Sequence, residues 1–225
     1  MRRTAIAVMC IALVAPRANA QQGRDDVSFG WSKQLPAGST ITIRNGRGPI
    51  HMREVTGDRV EVRATKLARS RNSIRTVAFD VRESDTGASV CTLYGRETSC
   101  RDERTSGLSS IVVEFTVLVP SGMSADMTTG NGGIDVRLTS NPSDGVLRFG
   151  SGSGTLRIGL PQDFNGRLDT QTGKGTLRSD FELQVIGRLD AHHLTATIGH
   201  PTLEHGHGPL LQLRTGKGDV ELRRN

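Results

Sequence analysis

The sequence predicts an all-β fold, and three observations support that prediction. Glycine is abundant, with 27 among 225 residues, against a usual share of about 7%. Hydrophobic residues make up 35% of the chain and alternate with polar ones over short stretches, as in half-buried strands. A strand–glycine–strand pattern recurs at a spacing near 21 residues. Many short strands and tight turns are therefore expected, rather than a helical bundle or a membrane channel.

The repeat is clearest in residues 147–158, where apolar alternation is interrupted by a Gly-x-Gly pair and then resumes. The pairs are Gly46 and Gly48, Gly130 and Gly132, Gly152 and Gly154, Gly173 and Gly175, and Gly216 and Gly218. From Gly130 onward, the first glycines are 22, 21 and 43 residues apart, so a degenerate copy falls near residues 194–203. A repeat of this length indicates stacked structural units.

Each unit is interpreted as one coil of a β-solenoid. Alternation places apolar side chains on an inward face, and both glycines of a pair are predicted to form a corner where a Cβ would clash. One coil cannot bury its apolar face alone, so successive coils are expected to stack. The sequence thus predicts a single-domain, right-handed β-solenoid with coils of about 21 residues. An antiparallel β-sandwich with hairpins at similar spacing is the alternative.

The domain organisation follows from the N-terminus and the repeat. A charged start, an apolar stretch from Ala5 to Ala15 and Ala18-Asn19-Ala20 predict a signal peptide over residues 1–20. Residues 21–225 then form one domain, irregular to about residue 120 and regularly repeated over 121–225. Strands in the irregular half are predicted at Val27–Ser32, Thr40–Arg44, Ile50–Arg53, Val60–Lys66, Val77–Arg82, Ser89–Tyr94 and Ile111–Val119. The basic segment Arg63–Arg75 is predicted to be a solvated loop.

The charge and the aromatic content limit the choice of partner. The formal net charge of +6 falls to +3 once Arg2, Arg3 and Arg17 leave with the signal peptide. That value is too small to argue for nucleic acid binding. Aromatic residues make up 4%, which argues against surfaces that stack on sugars or bases. The apolar stretch of the signal peptide is too short to span a membrane.

Two cysteines stay in the exported chain after cleavage removes Cys10. Cys91 and Cys100 have eight residues between them, and an oxidising compartment favours a disulfide between them. The alternative, half of a metal site, lacks a nearby histidine.

Histidines form the main cluster of chemical interest. Five of the six lie in residues 192–207, and His200, His205 and His207 are the candidate ligands of zinc or copper. His207 also occupies the middle of a Gly-x-Gly, a position that other copies fill with Arg, Asn, Ser or Lys, so an exposed turn is the preferred interpretation. Arg157 and Arg178 lie at equivalent positions in successive copies and are expected to be neighbours. No catalytic residue and no cofactor are predicted.

Three stretches carry a resemblance to a known family. They are Ile41-Thr-Ile43-Arg-Asn-Gly46-Arg-Gly48, then Val119-Pro120-Ser-Gly122 leading into Thr129-Gly130-Asn-Gly132, and the ending Gly206-His-Gly208-Pro209 to Val220. In these the chain resembles the bacterial exported putative-adhesin family, built from a β-strand-repeat domain of unknown function. The resemblance covers about residues 38–225. It implies a β-helix-like fold outside the cytoplasm and no catalytic residues.

The predicted function is that of a non-enzymatic envelope protein, in the periplasm or on the cell surface. Its rigid scaffold would contact an envelope component, another cell surface or a glycan. A periplasmic metal- or ligand-binding protein that uses residues 192–207 is the alternative. An enzyme acting on anionic polysaccharide is a third possibility.

Overall fold

The computed structural model describes residues 27–68, 71–95, 111–142, 144–190, 192–199 and 208–225. Within these ranges the chain forms seventeen strands and one four-residue helix, α1 (Arg71–Ile74). The predicted all-β class is therefore confirmed. No helix in the described ranges is long and apolar enough to cross a membrane.

Seven strands form in the first half of the chain, and each overlaps one of the seven predicted there. They are β1 (Ser28–Gln34), β2 (Thr40–Arg47), β3 (Ile50–Val55), β4 (Arg59–Leu67), β5 (Val77–Ser84), β6 (Gly87–Tyr94) and β7 (Val112–Pro120). They form because apolar residues alternate with polar ones, as in β4, where every second residue from Val60 is buried.

The loop prediction for Arg63–Arg75 is wrong over its first five residues, which belong to β4. Lys66 takes an inward position in the same alternation and is only 1% exposed. Its Nζ lies 5.4 Å from the centroid of the Phe79 ring, so its long side chain packs on an aromatic face. The charges of this segment favoured a loop, whereas its alternation with a period of two predicts a strand.

Ten strands form in the second half, mostly as pairs joined at a glycine turn. They are β8 (Ser124–Asn131), β9 (Ile134–Arg137), β10 (Val146–Ser153), β11 (Leu156–Leu160), β12 (Gly166–Lys174), β13 (Leu177–Ser179), β14 (Leu183–Leu189), β15 (His193–Ile198), β16 (Leu210–Lys217) and β17 (Val220–Arg224).

The strands form two mixed sheets with a shared core between them. Sheet A has the order β14-β15-β12-β16-β10-β8-β2-β6-β5, and sheet B has the order β1-β4-β7-β3-β9-β11-β17-β13. Inward residues of both sheets belong to one buried apolar cluster, as expected for a sandwich-like arrangement. The parallel centre departs from the antiparallel sandwich proposed as the alternative. The right-handed solenoid stays a prediction.

Five strand–turn–strand units build the parallel centre, each with one strand in either sheet. In chain order they are β2–β3, β8–β9, β10–β11, β12–β13 and β16–β17. In space, β16–β17 lies between β10–β11 and β12–β13. The expectation that Arg157 and Arg178 are neighbours is therefore wrong, because Glu221 of β17 lies between them. Units of equal form can exchange places without changing the periodicity of the sequence.

The two ends of the stack differ. At one end, Phe29 stacks on Phe79 with ring centroids 4.5 Å apart, and Glu83 of β5 accepts hydrogen bonds from Trp31 and Lys33 of β1. These contacts join the edges of the two sheets. At the other end, the edge strand β14 exposes apolar side chains, with Leu189 67% exposed.

Candidate functional site

The glycine pairs lie where each unit passes from sheet A to sheet B. The second glycine of every pair sits in the turn, with φ between +125° and +159°. The first lies inside the preceding strand of sheet A. At Gly154, a Cβ would overlap the carbonyl oxygen of Gly132 in the neighbouring unit, so this turn has no room for a side chain.

A buried polar residue precedes the first glycine of every pair, and sequence reasoning missed this feature. These residues are Asn45, Thr129, Ser151, Thr172 and Thr215. Their side chains donate hydrogen bonds to carbonyl oxygens of the turns; for example, Thr129 Oγ1 lies 2.8 Å from Gly48 O, and Ser151 Oγ lies 2.8 Å from Gly132 O. The row thus satisfies buried acceptors between units. In the sequence, these positions can be recognised as an Asn, Thr or Ser that directly precedes a Gly-x-Gly pair.

The outer face of sheet A carries polar side chains that are bonded to one another. Arg44 pairs with Asp126 at 2.8 Å, and the Nε of Arg148 donates to Gln212 at 2.7 Å. Their mutual hydrogen bonds leave this network little capacity for a charged ligand.

His193 belongs to the same face, and its Nε2 lies 2.7 Å from Asp169 Oδ1. His200, His205 and His207, the predicted metal candidates, lie outside the described residues. Within the described ranges, no three His, Cys, Asp or Glu side chains are placed to hold a metal ion.

Cys91 is 1% exposed and faces away from the main core. It forms a second buried cluster with Ala78 and Leu93 on the outer side of sheet A. Its predicted partner, Cys100, lies outside the described residues.

The outer face of sheet B carries two rows of charged residues that cross the strands. In the first row the charges of Asp135, Arg157, Glu221 and Arg178 alternate in that spatial order, and His51 lies next to Asp135. Arg157 Nε lies 3.4 Å from Glu221 Oε2, so part of this row is neutralised internally. Cross-strand pairs of opposite charge stabilise a sheet.

The second row, here called the arginine row, consists of Arg53, Arg137, Gly159 and Arg223 on β3, β9, β11 and β17. Arg53 and Arg137 are directly opposite each other, and neither forms an ion pair with any other described residue. Like charges in this position destabilise a sheet. The row therefore has an electrostatic cost that the described residues leave uncompensated.

A depression of about 360 Å³ lies over Gly159, between the arginines of the row. Arg137, Arg157, Arg223 and Arg224 line it. The carboxamide of Asn225 crosses the backbone of Gly159 to donate a hydrogen bond to Leu138 O. The sequence alone gives little indication of this depression, because the arginine row joins residues from units that lie far apart in the chain.

Glu54 fixes the strand ends beside the arginine row. It is 7% exposed, and its Oε2 accepts hydrogen bonds from the backbone N–H groups of Thr139 and Ser140, at 2.6 and 2.9 Å. Burial alone would raise the pKa of Glu54, but hydrogen bonds from Ser140, Thr139 and Ser121 outweigh it and hold the pKa below its ordinary value. The end of β3 is thereby tied to the segment after β9, which keeps Arg53 beside Arg137.

Replacing Glu54 with Gln should reduce both the stability and its dependence on pH. Because folding lowers the pKa of Glu54, its contribution is present above its unfolded pKa and is lost as pH falls through the folded pKa. Wild-type unfolding free energy, measured in urea from pH 7 to pH 3, should therefore fall more steeply than that of Glu54→Gln. At pH 7 the variant should be less stable by about 1–3 kcal/mol. The exposed Glu182→Gln is the control, and parallel pH curves for Glu54→Gln and wild type would contradict this role.

Comparison with known proteins agrees with this architecture. No family model and no curated protein sequence matches the chain. Among solved structures, a "putative cell adhesion protein" from Clostridium sporogenes aligns with 88% of this chain and 100% of its own, at 11% identity and a TM-score of 0.53. This chain has the fold of that Clostridium protein.

A second similar structure is a "putative adhesin" from Bacteroides fragilis. It covers 88% of this chain and 97% of its own length, at 10% identity and a TM-score of 0.24. The resemblance to adhesins found in the sequence is confirmed by the name of the Clostridium structure. At 11% identity, the likeness to that structure shows the fold alone.

Proposed function

We propose that this chain is a non-enzymatic protein that acts outside the cytoplasm as an interaction module of the adhesin type. The arginine row is the observation that carries the proposal. It places unpaired positive charge on an exposed face of a sheet whose strands are held in register by the core beneath. A flat face of this kind suits an extended partner, such as an envelope component, another cell surface or a glycan. The name of the Clostridium neighbour is consistent with this role.

The scaffold behind this face is a single domain over residues 21–225. Its parallel centre is a solenoid-like stack, in which the last unit of the chain is inserted between two earlier ones. The glycine turns and the buried polar residues that precede the glycine pairs support this proposal, because both features repeat from one unit to the next. Antiparallel strands enlarge the stack at both ends.

Export requires the signal peptide over residues 1–20, which lies outside the described residues. We expect the mature chain to begin at Gln21 and to be found in the periplasm or on the cell surface. N-terminal sequencing of protein from native cells tests this, and an intact Met1 would contradict it.

The exported chain should contain a disulfide between Cys91 and Cys100. The support is that Cys91 is buried on the face opposite the core, with eight residues between it and the one other cysteine of the mature sequence. A loop of this size would contribute about 2–3 kcal/mol to stability. Titration of the denatured, unreduced protein should find no free thiol, and two thiols per chain would refute the pairing.

Binding to intact cell envelopes tests the proposed function. Labelled residues 21–225 should sediment with envelopes, and the doubly reversed variant Arg53→Glu, Arg137→Glu should stay in the supernatant. Arg148→Glu on the outer face of sheet A is the matched control and should sediment like wild type. The proposal fails if wild type does not sediment, or if reversal of the arginine row has no effect.

A further inference from the structure

We propose that the depression over Gly159 binds the carboxylate groups of an acidic polysaccharide. This inference rests on the proposed function and names the ligand of the same face. It depends on three features of the described residues: the register of the arginine row, the acid that this row lacks, and the balance of charge around the depression.

The register places arginines on both sides of Gly159, a position that has no side chain of its own. Arg137 is opposite Gly159 on one side, and Arg223 is opposite Gly159 on the other. Neighbouring strands lie about 4.8 Å apart, so these two arginines are separated by about two strand spacings. An anionic group above Gly159 would be within reach of both guanidinium groups.

The neighbouring row shows what normally fills such a position. There, Glu221 lies between Arg157 and Arg178, so a carboxylate separates two arginines. In the arginine row the corresponding place belongs to Gly159, and the neutral carboxamide of Asn225 crosses it instead. A carboxylate from a ligand would supply the missing member of an Arg–carboxylate–Arg series, a geometry the sheet already uses one row away.

Positive charge remains around the depression after the internal pairs are counted. Glu221 is shared between Arg157 and Arg223, while Arg53 and Arg137 have no ion-pair partner among the described residues. Arg53, Arg137, Arg157 and Arg223 outnumber the side-chain carboxylates of Asp135 and Glu221 by two on this face, whereas the guanidinium of Arg224 lies over the Phe181 ring.

The chemistry of the face selects a carboxylated polymer. Guanidinium groups bind carboxylates in a bidentate manner, which gives geometric specificity. The neighbouring row of the same face holds a carboxylate, Glu221, between two arginines, and this precedent favours a carboxylate as the ligand group. Arg53 continues the row beyond Arg137, so a linear polymer crossing the strands would offer successive carboxylates to successive arginines. The lining of the depression has no aromatic side chain for stacking on a neutral sugar.

Binding of polygalacturonate to residues 21–225, measured by titration calorimetry, tests the proposal. Fully methyl-esterified polygalacturonate is the uncharged counterpart, and polyphosphate is the alternative polyanion. Wild type should bind polygalacturonate tightest of the three, and the affinity should fall as salt is added. Arg137→Gln should weaken binding about tenfold, as expected for loss of a charge-assisted contact.

Two variants at Gly159 sharpen the test. Gly159→Asp supplies the missing carboxylate from the chain itself and should abolish binding, whereas Gly159→Asn displaces the Asn225 carboxamide in the same way without adding charge and should weaken binding less. Arg148→Gln on sheet A should bind like wild type. Thermal melts should first show that each variant is folded.

The outcomes separate this inference from the proposed function. No saturable binding of polygalacturonate, equal binding of its methyl ester, tighter binding of polyphosphate, or equal binding by Gly159→Asp and wild type would each overturn the inference. If wild type then still sediments with envelopes through the arginine row, the proposed function stands with a different ligand. If sedimentation is also absent, both fail.

Discussion

Deletion of residues 208–225 should unfold the protein rather than leave a shorter protein that is still folded. These residues contain β16 and β17, which lie between other units in both sheets. Their loss removes the buried Leu211, Leu213, Val220 and Leu222, together worth about 6–12 kcal/mol. It also strips both neighbours of their backbone hydrogen bonds, in sheet A and in sheet B. A typical domain is stable by about 5–15 kcal/mol, so little stability would be left.

Circular dichroism during thermal unfolding measures this effect. The deletion variant should show no cooperative transition, whereas wild type should show one. In a stack ordered as the sequence is, the last unit would be a terminal coil, and its removal would leave a folded, slightly less stable protein. A cooperative transition near the wild-type midpoint would contradict the observed order of the units.

Replacement of Gly154 by Val should cause the second large loss of stability. Gly154 has a φ of +156°, and a Cβ there would overlap the carbonyl oxygen of Gly132, a backbone atom that cannot move without shifting a neighbouring unit. Strain of a β-branched residue at positive φ costs about 1–3 kcal/mol, and the overlap adds to it. We expect a total loss of about 3 kcal/mol or more in the free energy of unfolding.

Ser153→Val is the matched control for this glycine. Ser153 is partly exposed at the end of β10, and its backbone already has the extended conformation that Val prefers. The change should alter stability by less than about 0.5 kcal/mol. Equal losses at Gly154 and Ser153, measured by urea unfolding, would show that this glycine is not required at the turn.

Local features of the fold could be predicted from the sequence because they depend on neighbours in the chain. The period of two placed seven strands in the first half, and the Gly-x-Gly frame marked five passages between the sheets. Two predictions overlapped at Lys66: the strand Val60–Lys66 is confirmed, and the solvated loop is wrong there because the side chain of Lys66 packs on Phe79.

The arrangement of the units could not be predicted in the same way. Each unit has the same apolar alternation and the same turn, so the periodicity is identical for every spatial order. Arg223 lies opposite Gly159 only because β17 lies beside β11, so its place next to Arg137 and Gly159 could not be predicted from the sequence. The buried polar residues before the glycine pairs could have been predicted, since Thr129, Ser151 and Thr215 each precede such a pair in the sequence. They were not predicted because only the alternation of apolar residues was used to assign buried positions.

The position of β17 brings Arg223 into the arginine row, so a measurement of the neighbours of β17 tests the order of the units most directly. In the variant Arg157→Cys, Glu221→Cys, the two new thiols lie on adjacent strands in register and should form a disulfide on mild oxidation. In Arg157→Cys, Arg178→Cys, a strand lies between the thiols, and no such bond should form. Peptide mapping by mass spectrometry distinguishes the two. A disulfide in the second variant and none in the first would show that the units stack in sequence order, and Arg223 would not lie beside Gly159.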